Sequence, residues 1–155
     1  MKLLPIVILT SIAIAGCGKR RTPAKYLVPF GYEGVVITVY EQEGFPALPT
    51  IDGLSIHRFP ADGILITSSK QEFSWASDKI VDALDGGSNR AIPYSLSGER
   101  VERFSATGTR SGAGIPTIRY EFKAIGSDEY WSNRNAAEYD KKVDEAIAKI
   151  RTYRR

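Results

Sequence analysis

Two residues stand alone in this 155-residue chain and bound its chemistry: Cys17 is the only cysteine and His57 the only histidine. A single cysteine has no intramolecular disulfide partner, so its thiol is either modified or sits in the chain as a small hydrophobe. Any Ser-His-Asp, Cys-His or multi-histidine metal site must use His57 or do without imidazole. Read as a strand, Leu54 to Phe59 places Leu54 and Ile56 on one face and Ser55, His57 and Phe59 on the other. This predicts His57 on the more solvated face, within reach of Ser55 as a general base. Local spacing puts no acid beside it, which favours a partly exposed strand histidine. The carboxylate pairs Glu41 with Glu43, Asp78 with Asp82 and Asp128 with Glu129 lack a calcium-loop pattern and read as solvated charge.

Two further features carry ligand chemistry at lower specificity. Gly108-Thr109-Arg110-Ser111-Gly112-Ala113-Gly114 is glycine-rich like a phosphate cradle, but no Gly-Lys-Ser/Thr ending and no helical pattern follow it. It reads as a mobile loop carrying the single cation Arg110. Among the aromatic residues, which could form a carbohydrate-stacking surface but fit core and sheet faces better, Trp131 falls where the last strand gives way to a helix. There it either pins that helix or stays open to a ligand. No catalytic set, metal site or cofactor is expected, and His57, Trp131 and Arg110 remain as ligand candidates.

The elements that must position these residues are mostly strands. Val35-Val36-Ile37-Thr38-Val39-Tyr40 is rich in β-branched residues. Leu54 to Phe59 and Ile64 to Ser68 flank Pro60-Ala61-Asp62-Gly63, which predicts a hairpin. Glu72 to Ala76 alternates around Phe73 and Trp75 as a half-buried strand. Lys79 to Leu84 reads as a strand or one helical turn, and Asp85 to Asn89 as a turn. Arg100 to Ala106 and Thr117 to Ile125 form a strand pair across the glycine loop. From Asn135 to Tyr153 there is no Gly or Pro, and Ala136, Tyr139, Val143, Ile147 and Ile150 recur at helical spacing, with acids early and bases late. The expected fold is mainly β, an antiparallel sandwich-like domain over residues 26–155, with one C-terminal amphipathic helix at about 133–153.

The N-terminus reads differently. Lys2 precedes an apolar run from Leu3 to Ala15, too short to cross about 30 Å of hydrocarbon, which takes roughly 20 residues. It fits a secretory signal core over residues 1–16. Ile14-Ala15-Gly16-Cys17 resembles the bacterial lipobox, with Ile14 in place of the usual Leu; the resemblance implies cleavage before Cys17 and a lipid on its sulfur. Residues 17–25 then form a lipidated cysteine and polar tether. Lys19, Arg20 and Arg21 outnumber Lys2, so charge alone points an uncleaved anchor the other way round; cleavage at the cysteine and the short span outweigh that bias. Removing residues 1–16 leaves 139 residues (155 − 16), enough for one domain, and lowers the formal charge from +3 to +2 as Lys2 leaves. The basic residues gather at Lys19–Arg21 and Lys149–Arg155, not in a stripe among aromatics, which argues against nucleic acid.

Tyr26-Leu27-Val28-Pro29-Phe30-Gly31-Tyr32-Glu33-Gly34 resembles the opening of a bacterial lipoprotein domain family that begins Tyr-Leu-Ile/Val-Pro-x-Gly-Tyr-x-Gly. Asp52-Gly53, Pro60-x-x-Gly63-x-Leu65-x-Thr67-Ser68-Ser69 and Tyr120-Glu121-Phe122 leading into Ile125-Gly126 match in order and spacing, over roughly residues 26–130. Val35 replaces an aromatic, and Phe122-Lys123-Ala124-Ile125-Gly126-Ser127 stands where relatives have Phe-Phe-Val-Gly-Thr. The middle section is also distantly similar to transthyretin-like sandwich modules. The resemblance implies a class and a location but no activity. The leading expectation is a non-enzymatic binding or structural domain held to a lipid bilayer through Cys17, facing an envelope protein or wall polymer. Gly18 after the cysteine resembles the pattern of outer-membrane sorting where the host has two membranes; with one, the domain lies on the outer face of the cytoplasmic membrane. The rivals are an envelope hydrolase or inhibitor centred on His57 or the Gly108–Gly114 loop, and an assembly factor acting through the C-terminal helix with Arg151, Arg154 and Arg155.

Overall fold

The computed structural model describes residues 21–74, 76–83, 89–93, 101–112, 115–132 and 137–154. Cys17, residues 1–16 and Trp75 lie outside them. Chain order runs β1 (Ala24–Pro29), β2 (Gly34–Tyr40), β3 (Thr50–Ile51), β4 (Leu54–Arg58), β5 (Ile64–Ile66), β6 (Lys79–Ala83), β7 (Asn89–Ala91), β8 (Val101–Gly112), β9 (Ile115–Gly126), α1 (Asp128–Ser132) and α2 (Ala137–Tyr153). The first sheet has strand order β3-β4-β1-β6-β7 and the second β5-β2-β9-β8.

The mainly β fold with a C-terminal helix holds, but the sheets are mixed where antiparallel pairing was expected. β1 runs parallel to β4 and β6, and β2 runs parallel to β5. The reason lies at Pro60–Gly63. The turn chemistry is as read, with Gly63 at φ 72° and Asp62 Oδ1 accepting the Ile64 N–H at 3.0 Å. It is nevertheless no hairpin, because Phe59 is buried between the sheets and Ile64 on the other side of the second sheet, under α2. The turn therefore carries the chain from one sheet to the other. Strands that return to a sheet after such an excursion are free to pair in parallel.

β2 is buried along its whole length because it is covered on both faces. Val36 meets the first sheet, while Ile37 and Val39 meet α2. Double cover explains why its sequence is continuously apolar instead of alternating. Helix α2 buries Val143, Ala146, Ile147 and Ile150, positions three and four apart on one stripe. The sandwich thus has three layers: first sheet, second sheet and helix.

Other boundaries moved for identifiable reasons. The Gly108–Gly112 stretch, expected as loop, is the outer half of β8. Gly108 lies opposite Tyr120, and a Cβ there would come within 2.6 Å of the Tyr120 ring, so glycine serves close strand packing. Phe73 is 70% exposed, and the described residues of the expected strand, 72–74 and 76, belong to none. Lys79 to Ala83 resolves as a strand. β1 begins at Ala24, so Ala24 and Lys25, read as tether, already pair with Ser55 and Ile56 of β4.

Candidate functional site

The space between the sheets is apolar at one end and polar at the other. Val28, Val36, Phe59, Ile80, Ile92 and Ile125 fill the apolar end. At the other, strand register sets Tyr26 of β1 beside His57 of β4, and Thr38 of β2 opposite Glu121 of β9. Alternation then brings Tyr40 and Lys123, two residues along from Thr38 and Glu121, to the same face.

His57 is 3% exposed, which corrects its expected place on the solvated face. The strand alternates as its sequence predicts, but the Ser55, His57 and Phe59 face is the inner one. Ile56 packs with Leu27 and Val81 in a separate apolar cluster on the opposite side. The imidazole lies 4.5 Å from the Tyr26 ring and 6.2 Å, edge-on, from Tyr40. Thr38 Oγ1 is 3.3 Å from Nδ1 and Ser55 Oγ is 3.4 Å from Nε2. Burial lowers the His57 pKa from 6.5 to about 4, with the charges of Glu121 and Asp78 pulling weakly the other way.

Glu121 organises the neighbouring groups. It accepts the Tyr26 hydroxyl on both oxygens at 3.0 Å and the Tyr40 hydroxyl at 2.9 Å, and Lys123 Nζ stands 3.1 Å from Oε1. Lys123 also pairs with Glu102 at 3.2 Å and lies 4.4 Å over the Tyr26 ring. Burial, reinforced by the Glu121 charge, pushes both tyrosine pKa values far above 10, so both phenols stay protonated and donate. Three donor groups therefore converge on this carboxylate.

A cavity of about 250 Å³ opens beside this cluster, lined by Tyr26, Tyr40, Ser55, His57 and Glu121, with Arg21, Thr22, Lys70 and Glu72 among its other walls. The N-terminal approach is fastened at this point. Arg21 forms an ion pair with Asp78 and donates to the Ser74 carbonyl at 3.0 Å, while the Thr22 and Ala24 N–H groups bond Glu72 and Asp78 at 3.1 and 2.9 Å. Asp78 and Asp82, expected as solvated charge, are an ion-paired residue and one that is 2% exposed. Glu41, from another such pair, binds Arg119 at 2.7 Å.

The other candidates lie elsewhere and are not brought to His57. Arg110 reaches from β8 to Asp140 at 3.7 Å and Asp144 at 3.2 Å, clasping the strand to α2. Trp131, in α1, stacks on Tyr139 of α2 at 6.2 Å and 5°, with Tyr130 edge-on at 4.9 Å. That arrangement pins the short helix to the long one, although its buried indole N–H finds no acceptor among the described residues. Tyr26 and Tyr40, expected among the core and sheet-face aromatics, are buried as that reading requires, whereas nothing in the sequence singled out Glu121 and Lys123. Their one signal was Glu121 and Lys123 alternating with Tyr120 and Phe122, a pattern that ordinarily marks a wet sheet face. Among the described residues no group of three His, Cys, Asp or Glu side chains is placed to hold a metal ion.

The geometry is poorly suited to acyl transfer. A serine–histidine couple needs a carboxylate on Nδ1 to orient the ring and stabilise imidazolium, and Thr38 occupies that place. A base with a pKa near 4 is also weak at neutral pH. The same burial gives a stability prediction. Because the folded pKa lies below the unfolded value, the unfolded chain binds more protons between pH 6.5 and 4. Stability is full above pH 6.5 and falls as pH drops toward 4, by on the order of 3 kcal/mol for the interval from 6.5 to about 4. Urea unfolding at pH 7 and pH 4.5 measures this loss, and His57→Gln is expected to flatten it; an equal slope in the variant would place the pH dependence elsewhere.

The sequence profile of DUF6843, described as a family of unknown function, matches residues 20–133. That stretch contains every wall of the cavity and stops before α2. A crystal structure described as “Putative Lipoprotein from Bacillus anthracis” is similar to this chain with a TM-score of 0.67 and 26% identity, covering 84% of this chain and 95% of that one. No curated protein matches the sequence.

Proposed function

The chain belongs to DUF6843, a family of unknown function, and on that footing we propose that it is a membrane-anchored lipoprotein whose sandwich binds a small ligand without transforming it. Residues 1–16 serve as the signal peptide, and Cys17 carries the lipid. Gly18 directs the product to the outer membrane where there are two membranes; with one, the domain stands on the outer face of the cytoplasmic membrane. The likeness to the Bacillus anthracis structure supports the anchor.

The observation that carries the binding reading is the cavity beside His57, walled by polar side chains at the point where the tether joins the fold. Arg21 is four residues from Cys17 (21 − 17), and an extended chain spans at most about 14 Å over that distance. The cavity mouth is thereby held close to the headgroup layer. The engagement of Glu121 by Tyr26, Tyr40 and Lys123, and the place of Thr38 at His57 Nδ1, favour binding over hydrolysis. The assembly reading loses ground because α2 already spends its buried stripe within the domain.

Native mass spectrometry of protein purified from its own membranes tests this. The wild-type chain is expected to carry a small non-covalent adduct that Ser55→Trp, which fills the cavity, removes without lowering the unfolding temperature. Identical spectra for the two proteins would contradict it.

A further inference from the structure

We propose that the cavity beside His57 receives a neutral, hydroxyl-rich group about the size of one sugar ring. The inference rests on the binding reading and adds a chemical class to it. The formally charged walls are Arg21, Lys70, Glu72 and Glu121, two positive and two negative. Three of the four are engaged within the protein: Arg21 by Asp78, Glu72 by the Thr22 N–H, and Glu121 by Tyr26, Tyr40 and Lys123. Lys70 lies exposed. A charged ligand entering here would leave water without an unengaged countercharge in the depth of the site, which is costly. A neutral ligand meets no such penalty.

What the interior offers is neutral hydrogen bonding. His57 carries no charge near neutral pH, and its contacts to Thr38 and Ser55, at 3.3 and 3.4 Å, are long enough to be exchanged for better ones. Ser55 and Thr50 add hydroxyls that donate or accept as required. Tyr40, held by its hydroxyl on Glu121, adds an aromatic side chain to the lining. The volume, about 250 Å³, falls just below the roughly 300–1,000 Å³ typical of pockets for drug-sized ligands. That space suits a single ring. Two sources share this chemistry: a soluble saccharide, and the glycosyl headgroup of a lipid in the membrane that carries the anchor.

The test follows the single imidazole resonance of the full, lipidated protein during titration with methyl glucoside, N-acetylglucosamine, glucuronate and glucosamine, and with vesicles containing or lacking a monoglucosyl diacylglycerol. The neutral sugars are expected to shift His57 saturably and at least tenfold more tightly than the two charged ones, with the shift lost in both Ser55→Trp and the rim variant Thr50→Trp. A response to the glycolipid vesicles alone assigns the headgroup as the source and supports the inference. Equal or tighter binding of glucuronate or glucosamine overturns neutrality but leaves the binding reading standing. Silence toward every neutral probe, soluble or lipid-borne, overturns the inference, and the adduct experiment above then judges the binding reading separately.

Discussion

Cys17→Ala is expected to abolish lipid incorporation entirely, from full labelling with a fatty-acid precursor to background. The effect is all-or-none because the chain has no second cysteine to take the lipid. Membrane retention is the weaker readout, since an uncleaved apolar segment from Leu3 to Ala15 could itself hold the variant at the bilayer. Among the described residues no helix is long and apolar enough to cross a membrane. Durable anchoring by acyl chains takes two signals, because one myristoyl chain binds only marginally at about 0.8 kcal/mol per buried methylene. Unchanged label in the variant would show that Cys17 does not carry the lipid. The fold also bears on the basic residues that oppose the orientation. Of Lys19, Arg20 and Arg21, the last is drawn into the domain by Asp78.

Lys123→Ala is expected to be the most destabilising single substitution in the charge cluster behind the cavity, where the lysine pairs with the wall residue Glu121. The lysine side chain is 7% exposed and stands between Glu102 and Glu121, which are 13% and 16% exposed. Removing it leaves two buried carboxylates facing each other without a cation. Breaking a buried pair from one side typically costs about 3–5 kcal/mol, and the residual exposure of both acids places this case toward the lower end. Arg119→Ala makes the comparison. Its bond to Glu41 is short, but the side chain is 50% exposed, and surface pairs of that kind contribute about 0–1 kcal/mol. Chemical denaturation of both variants measures the contrast. Adding Glu102→Gln and Glu121→Gln to Lys123→Ala should recover much of the loss, since neutral amides need no countercharge. Equal losses at Lys123 and Arg119 would show that the charge cluster is not buried as described.

The sequence disclosed the elements better than their connections. β2, the β8–β9 pairing and α2 were legible because each carries a local signal: β-branched density, paired alternation across glycines, and three- and four-residue spacing. Which sheet a strand joins has no such signal. Pro60–Gly63 has hairpin chemistry, yet it connects two sheets because Phe59 and Ile64 belong to different cores. The same limit hid the site. His57 and Glu121 sit on faces that, strand by strand, read as wet, and only the stacking of one sheet on the other encloses them together. Tyr26, 95 residues from Glu121 in the chain, is hydrogen-bonded to it. Arg110, a cation in a glycine-rich stretch, and Trp131, an aromatic at a junction, have distinctive local sequence, yet Arg110 ties β8 to α2 and Trp131 packs α1 on α2.

The proposed binding cavity opens between the sheets beside the buried His57. As the only histidine, it gives one imidazole resonance that needs no assignment by mutation. Titrating that resonance in the folded protein is expected to yield a pKa near 4, with the ring neutral throughout the physiological range. A midpoint at the ordinary value of 6.5 would place the imidazole in water and contradict the enclosed site.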